Sequence, residues 1–190
     1  MGQRPGPLFP LARNIRRPPQ FLPAKETDPM ADARIFQDLK ADHDRHRKLL
    51  KQLAATSEDD AEKREEMFED LRQELQAHAA AEEESLYATM LGKPDLRDEA
   101  RHSVSEHKEI DDFLGELVEI EFEDEEWGEK FDELRERYLH HIDEEEEEMF
   151  PSASASLTSE EEADLAEVFA TRKPRELERA ATELPGDARE

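Results

Sequence analysis

Apolar positions along this chain recur at spacings of three and four over long stretches, the mark of helices that each bury one stripe. The first stretch runs from about Ala31 to Ala55 and places Phe36, Leu39, His43, His46, Leu50 and Leu53 on one face. Thr56-Ser57-Glu58-Asp59-Asp60 makes a turn and supplies an N-cap. The second helix runs to about Leu91, with Phe68, Leu71, Leu75, His78, Glu82 and Leu86 on its stripe. Gly92-Lys93-Pro94 stops it, because glycine suits the left-handed position after a helix and proline cannot continue one. The third helix extends from about Asp95 to Ile120, with Val104, His107, Ile110, Leu114 and Leu117 inside. The fourth begins near Glu126 and carries Trp127, Phe131, Leu134, Tyr138, His141, Glu145 and Met149 until Pro151 ends it. Each helix has about 25 residues and spans about 37 Å. Short connections make sequential neighbours antiparallel, so the pattern predicts an all-α fold, an up-down-up-down antiparallel four-helix bundle. After a Ser/Ala linker, Ser159-x-x-Glu162 reads as a capping box before Leu165, Val168 and Phe169. It predicts a short C-terminal helix on the end of the bundle, with the polar chain from Lys173 onward fraying.

The stripes are not purely apolar, and their polar members repeat. His78 is followed four residues later by Glu82 and then by the pair Leu86-Tyr87; His141 is followed by Glu145 and then by Met149-Phe150. A lone His stands upstream of each, His43 at 35 residues before His78 and His107 at 34 before His141. Any single His-x3-Glu is weak in a Glu-rich helix. Two copies in register, on the core side of their helices, are hard to explain as packing, since a buried ionised Glu is costly unless it is paired or bound to metal. Residues four apart share one helix face, so four imidazoles and two carboxylates converge to make a mixed nitrogen and oxygen site for a pair of transition metals. The candidate metal ligands are therefore His43, His78, Glu82, His107, His141 and Glu145.

The same count sorts the neighbours. His140 follows Lys130, Glu133 and Arg137 on its face and is expected in water, although Glu144 stands four residues on. His102 lies off the ligand face. Glu83, Glu84, Glu144, Glu146, Glu147 and Glu148 read mostly as solvated faces. His46 and Tyr138, each one turn from a candidate ligand, are candidates to support the ligands from behind, the alternative being plain core packing.

Composition narrows the chemistry. The 190 residues include no cysteine, so thiolate metal sites and disulfides are excluded. The formal charge of -26 disfavours nucleic acid as a partner, and no apolar run is long enough to span a membrane. Residues 1–30 differ from the rest, with seven prolines, five basic and two acidic residues. Proline at this density prevents helix, which predicts a disordered tail. Arg16-Arg17 is followed by Pro18-Pro19-Gln20 rather than an apolar stretch, so a twin-arginine signal is rejected, and the expected compartment is the cytoplasm. Met30, at the head of a helical stretch, reads as the true start; a basic tail folded onto the acidic body is the rival reading. The expected division is 1–30 tail, 31–152 bundle, and 153–190 C-terminal helix and polar tail.

The pattern His43…His78-x3-Glu82…His107…His141-x3-Glu145, with Glu-Glu-x2-Leu-Tyr and Glu-Glu-x2-Met-Phe-Pro at the helix ends, resembles the hemerythrin-like (HHE cation-binding) family over about residues 31–152. The resemblance implies a cofactor of two iron ions, a non-haem di-iron centre with an oxo or hydroxo bridge, in which Glu82 and Glu145 bridge and two His cap each iron. Oxygen-carrying hemerythrins have a further His one turn from the helix-three ligand, where this chain has Ser103 and Asp111. That departure implies open positions on the metals, reached by small ligands along Phe36, Leu39, Leu114 and Leu117. The expected function is binding or sensing of O2, reactive oxygen species or nitric oxide. The alternatives are a peroxidase-like or NO-peroxidase-like enzyme, and an iron-binding or structural bundle without turnover. The expected partners are small diatomic ligands or peroxide, together with an unidentified redox or signalling protein, and neither nucleic acid nor membrane.

Overall fold

Every apolar stripe read from the sequence forms a helix. This computed structural model describes residues 1–2 and 33–185. The proline-rich segment and the start at Met30 otherwise lie outside the described residues. The helices are α1 (Arg34–Leu53), α2 (Ala61–Glu82), α3 (Ala88–Gly92), α4 (Arg97–Val118), α5 (Glu125–Glu144), α6 (Phe150–Ser156) and α7 (Ser159–Ala180). Among the described residues there is no strand, and no helix is long and apolar enough to cross a membrane. α1 packs on α2 and α4 on α5, with α1–α5 and α2–α4 contacts between the pairs.

Two apolar clusters make the core. One gathers Phe36, Leu39, Leu86, Tyr87, Met90, Met149, Phe150, Leu165 and Phe169. The other gathers Leu50, Leu53, Phe68, Leu71, Leu75, Leu114, Trp127, Phe131, Leu134 and Tyr138. The buried histidines fall between the clusters along each helix: His43 lies between Leu39 and Leu50, and His78 with Glu82 between Leu75 and Leu86. Where the stripe of a long helix turns polar, the residues stay fully inside, so the fold spends its best-protected volume on them.

Helix ends differ from expectation in four places, the first being Gly92, which is the last residue of α3 and not left-handed, with extended Lys93 after it. Asp60 sits at the N-cap of α2 without a side-chain bond, and the turn before it is held by Ser57 Oγ accepting from Asp59 N and Thr56 Oγ1 donating to Leu53 O. The capping box of α7 begins one residue earlier than read: Thr158 Oγ1 accepts from Glu161 N, and Glu161 Oε2 accepts from Thr158 N. Pro151 does not end the fourth helix. A π-helical turn, Glu145–Met149, precedes α6, and the proline occupies the first turn of that segment, where a missing N–H costs little. A matching π-helical turn, Glu83–Tyr87, joins α2 to α3. π-turns are rare and concentrate at functional sites; here each follows or contains the Glu of a His-x3-Glu motif.

The largest correction concerns the C-terminal helix. It has 22 residues, and it lies along α2 and α1 rather than on the end of the bundle. Beyond Phe169 its inner face is polar, which reads as an end of the helix, yet the charges are paired. Arg172 meets Glu84, and Lys173 meets Asp42 and Glu74. Arg72, 2% exposed, donates to the carbonyls of Ala180 and Glu183 and so satisfies the end of α7. Pro174 faces water, where solvent can take the carbonyl it strands. Phe169→Ala is expected to cost about 3–5 kcal/mol in urea unfolding, whereas Val168→Ala, at a position 43% exposed, stays within about 0.5 kcal/mol.

Candidate metal centre

Between the clusters, four imidazoles turn the same atom inward. His43 Nε2 and His78 Nε2 stand 3.2 Å apart; the rings of His107 and His141 are 4.8 Å apart, edge to face. Glu145 spans the two pairs, with Oε2 at 3.3 Å from His43 Nε2 and Oε1 at 3.3 Å from His141 Nε2. Glu82 Oε2 lies 3.4 Å from His78 Nε2 and 3.7 Å from His107 Nε2. Two groups, His43-His78-Glu145 and His107-His141-Glu145, have donor atoms mutually within 4.8 Å and share Glu145. The i, i+4 spacing sets each His and its Glu one turn apart, and side chains on α1 and α4 close the cage. All six residues that periodicity placed on the inner stripes are brought together here.

Each imidazole is anchored on its outer side by a carboxylate. His43 Nδ1 pairs with Glu146 Oε1 at 2.8 Å, His78 Nδ1 with Asp42 Oδ2 at 3.3 Å, His107 Nδ1 with Glu83 Oε1 at 3.0 Å and His141 Nδ1 with Glu106 Oε2 at 2.9 Å. A carboxylate can only accept, so Nδ1 carries a proton, and each imidazole in its neutral form points the lone pair of Nε2 inward. Two inward lone pairs facing each other at 3.2 Å repel unless a cation lies between them. Two nitrogens bound to one metal at about 2.1 Å and near right angles stand about 3 Å apart. Glu82 Oε1 and Oε2, Glu145 Oε2, His107 Nε2 and His141 Nε2 are buried without a hydrogen-bond partner. Buried polar atoms are otherwise nearly always satisfied, so this donor set fits metal ions.

The four outer carboxylates escaped the sequence reading. Glu83 and Glu146, which the helical count puts on solvated faces, are half-buried and reach across to an imidazole on another helix, His107 on α4 and His43 on α1. Glu106 is 2% exposed and adjoins His107 in sequence. The signal that could have found them is an acid within four residues of each motif, but in a chain this acidic such acids are everywhere.

Tyr87 was also missed. Its hydroxyl donates to Glu145 Oε1, and its ring stacks on His107 at 5.3 Å. Phe150 holds the equivalent place on the other side, stacked on His43 at 5.8 Å. Tyr87 is nine residues after His78 and Phe150 nine after His141, so the shared spacing was a visible clue. The two halves of the cage thus differ by one hydroxyl, an asymmetry hidden by the repeat.

His46 and Tyr138 share a 2.6 Å hydrogen bond through Nδ1 and Oη, and the His46 ring is 5.1 Å from that of His78. Burial drives the His46 pKa down to about 3, against a weaker opposing pull from Glu74, so it is neutral and stands behind His78. His140 and His102 are exposed.

Electrostatics follow from the pairing. Burial alone would depress His43, but the carboxylates of Glu145 and Glu146 beside it raise it to about 9. Burial opposes ionisation of Glu145 and Asp42. The charges of His141, His43 and His107 hold Glu145 well below the ordinary carboxylate range, as His78 and Lys173 do Asp42. Burial and the nearby Glu145 and Glu82 charges push the Tyr87 phenol well up. A cavity of about 220 Å³ between α2, α4 and α7 reaches His107 and is lined by Leu75, Ile110, Leu114 and Arg179 among others. Of the apolar residues expected along an approach, Leu114 lines this cavity; Phe36 and Leu39 belong to the other side of the cage.

A model of the family described as Hemerythrin HHE cation binding domain matches residues 34–153. No curated protein and no solved structure matches the chain.

Proposed function

We propose a function from one premise: the chain belongs to the hemerythrin HHE cation-binding family. In this reading α1, α2, α4 and α5 run up-down-up-down as an antiparallel bundle, supported by the order in which each helix visits the two apolar clusters. The bundle holds two irons between His43, His78, Glu82, His107, His141 and Glu145, and there it binds or senses O2, reactive oxygen species or nitric oxide. One observation carries the reading: five buried donor atoms on these residues face one another with no hydrogen-bond partner.

Bound iron supplies redox chemistry and open positions for small ligands. The protein supplies the rest. Asp42, Glu83, Glu106 and Glu146 fix the tautomer and orientation of the four imidazoles. Glu145 reaches both His pairs, and the Tyr87 hydroxyl holds its Oε1. The two apolar clusters exclude bulk water above and below. Ser103, the position at which a fifth imidazole would enter, is buried and donates to Met149 Sδ at 3.4 Å, so it supplies no further nitrogen beside His107. The cavity at His107 is the route inward; Arg179 on its rim is paired to Glu176 and Glu183, and with Glu83 and Asp111 also lining it the route favours neutral ligands over anions.

Metal analysis is expected to find about two irons per chain, with an absorption spectrum that responds to azide or nitric oxide. One zinc per chain, or no metal after iron loading, overturns the reading. Ser103→His is expected to weaken the azide response, and Asp111→His less, because Asp111 is only half-buried. A native spectrum indifferent to every small ligand leaves a structural metal.

Tyr87 favours a second reading, a peroxidase-like enzyme, because its phenol places a proton at Glu145 Oε1, beside the centre. Catalytic consumption of peroxide, reduced severalfold in Tyr87→Phe at unchanged iron content, distinguishes it from stoichiometric binding.

A further inference from the structure

The His-x3-Glu spacing occurs twice more, just outside the cage. His102 and Glu106 lie on α4, and His140 and Glu144 on α5. His102 Nε2 is 3.5 Å from Glu106 Oε1 and 3.9 Å from Glu144 Oε2. His140 Nε2 is 3.5 Å from the same Glu144 oxygen. Donor atoms of His102, Glu106 and Glu144 lie mutually within 4.8 Å. We propose that this edge of α4 and α5 is a second, mononuclear cation site for a borderline divalent metal such as Zn²⁺ or Fe²⁺.

Three observations carry it. The imidazole-to-carboxylate distances exceed hydrogen-bonding range, yet two imidazoles from different helices aim at one oxygen. Glu144 Oε2 and Glu106 Oε1 are buried atoms with no hydrogen-bond partner. Glu106 itself is 2% exposed; its Oε2 is engaged by His141, and its Oε1 is aimed into the cluster. Arg137 Nη2 approaches that oxygen at 3.1 Å, but its Nε hydrogen-bonds Glu109 at 2.8 Å. Arg137 therefore competes with a cation without filling the place of one. The His102 imidazole with two carboxylates, and His140 reaching the same Glu144 oxygen, prefer zinc or iron to magnesium or calcium. With His102 and His140 63% and 59% exposed, water completes the shell and the metal exchanges with solvent. The site lies outside the dinuclear cage and touches it only through Glu106.

The test is equilibrium dialysis of the iron-loaded full chain against Zn²⁺ in excess Mg²⁺, with metal analysis of the retained protein. One zinc per chain beyond the iron is expected. The double variant His102→Gln, His140→Gln should bind it at least tenfold more weakly at unchanged iron content, and Arg137→Gln should bind it severalfold more tightly. Both histidines are exposed, so the fold is not at risk. Equal zinc uptake by the wild type and the double variant means binding to the acidic surface alone and overturns the site, as does zinc that enters only by displacing iron. Zinc at this edge in a chain that takes up no iron would leave this inference standing and remove the dinuclear one; iron without the edge zinc would do the reverse.

Discussion

Glu145→Ala is expected to empty both halves of the centre at once, reducing bound iron from about two per chain to a small fraction. The reason is geometric. Glu145 is the one residue common to both donor groups, with one oxygen near His43 and the other near His141. Removing it also strands Tyr87, whose hydroxyl loses its acceptor, and leaves His43 with only Glu146 of the two carboxylates that raise its pKa. His78→Ala removes a donor from one half only, so it is expected to spare more metal than Glu145→Ala. His140→Ala, adjacent in sequence to a candidate ligand but facing water, is expected to leave iron content unchanged. Metal analysis of the three proteins checks the order. Equal loss in all three would refute the register of α5, and full retention in Glu145→Ala would refute the cage.

Stripping the metal is expected to lower the melting temperature by about 10 °C or more. A ligand bound only by the folded state at a thousand times its Kd stabilises by about 4 kcal/mol, and each kcal/mol is worth about 2–4 °C in a chain of this size. The penalty depends on pH in a definite direction. In the stripped protein His43 has a folded value of about 9 against an ordinary 6.5. Its contribution to stability is therefore complete below about 6.5 and disappears as pH rises to 9, a loss on the order of 3 kcal/mol. His78 is shifted in the same direction, burial being outweighed by Asp42 and Glu82. Metal binding needs the neutral imidazole, so affinity rises over the same interval. The gap in melting temperature between loaded and stripped protein should widen from pH 6.5 to 9; a gap that is constant or narrows over that range would show that no proton leaves His43 when metal enters.

The inner stripes were legible because helical periodicity is a property of neighbouring residues, and His43, His78, Glu82, His107, His141 and Glu145 obey it as strictly as the leucines around them. What surrounds them was not. Glu83, Glu106, Glu146 and Asp42 face outward by the count and return through the length of their side chains, an interaction set by distance between helices rather than by position along one. α7 looked short because its inner face continues in Arg172, Lys173 and Glu176; only the partners Glu84, Asp42 and Glu74, about 90 to 130 residues away, make those charges compatible with burial. Arg72 and its carbonyl partners at the end of α7 are invisible for the same reason.

The π-turns have a consequence for inheritance. Each acts as one residue inserted into an α-helix, and it is this extra residue that brings Tyr87 and Phe150, five after Glu82 and Glu145, round to the face that an uninterrupted helix gives to the fourth. Losing a single codon between Glu83 and Leu86, or between Glu146 and Met149, removes the π-turn and restores regular α-helix with everything beyond still in register, the ring then standing fourth after the Glu. Such a deletion keeps every His and Glu of the motif and leaves the stacking ring and the apolar pair on the face they now occupy. The number of residues after the Glu is thus free to drop by one over descent, provided the π-turn goes with it, and what is inherited is the face of the ring rather than the count.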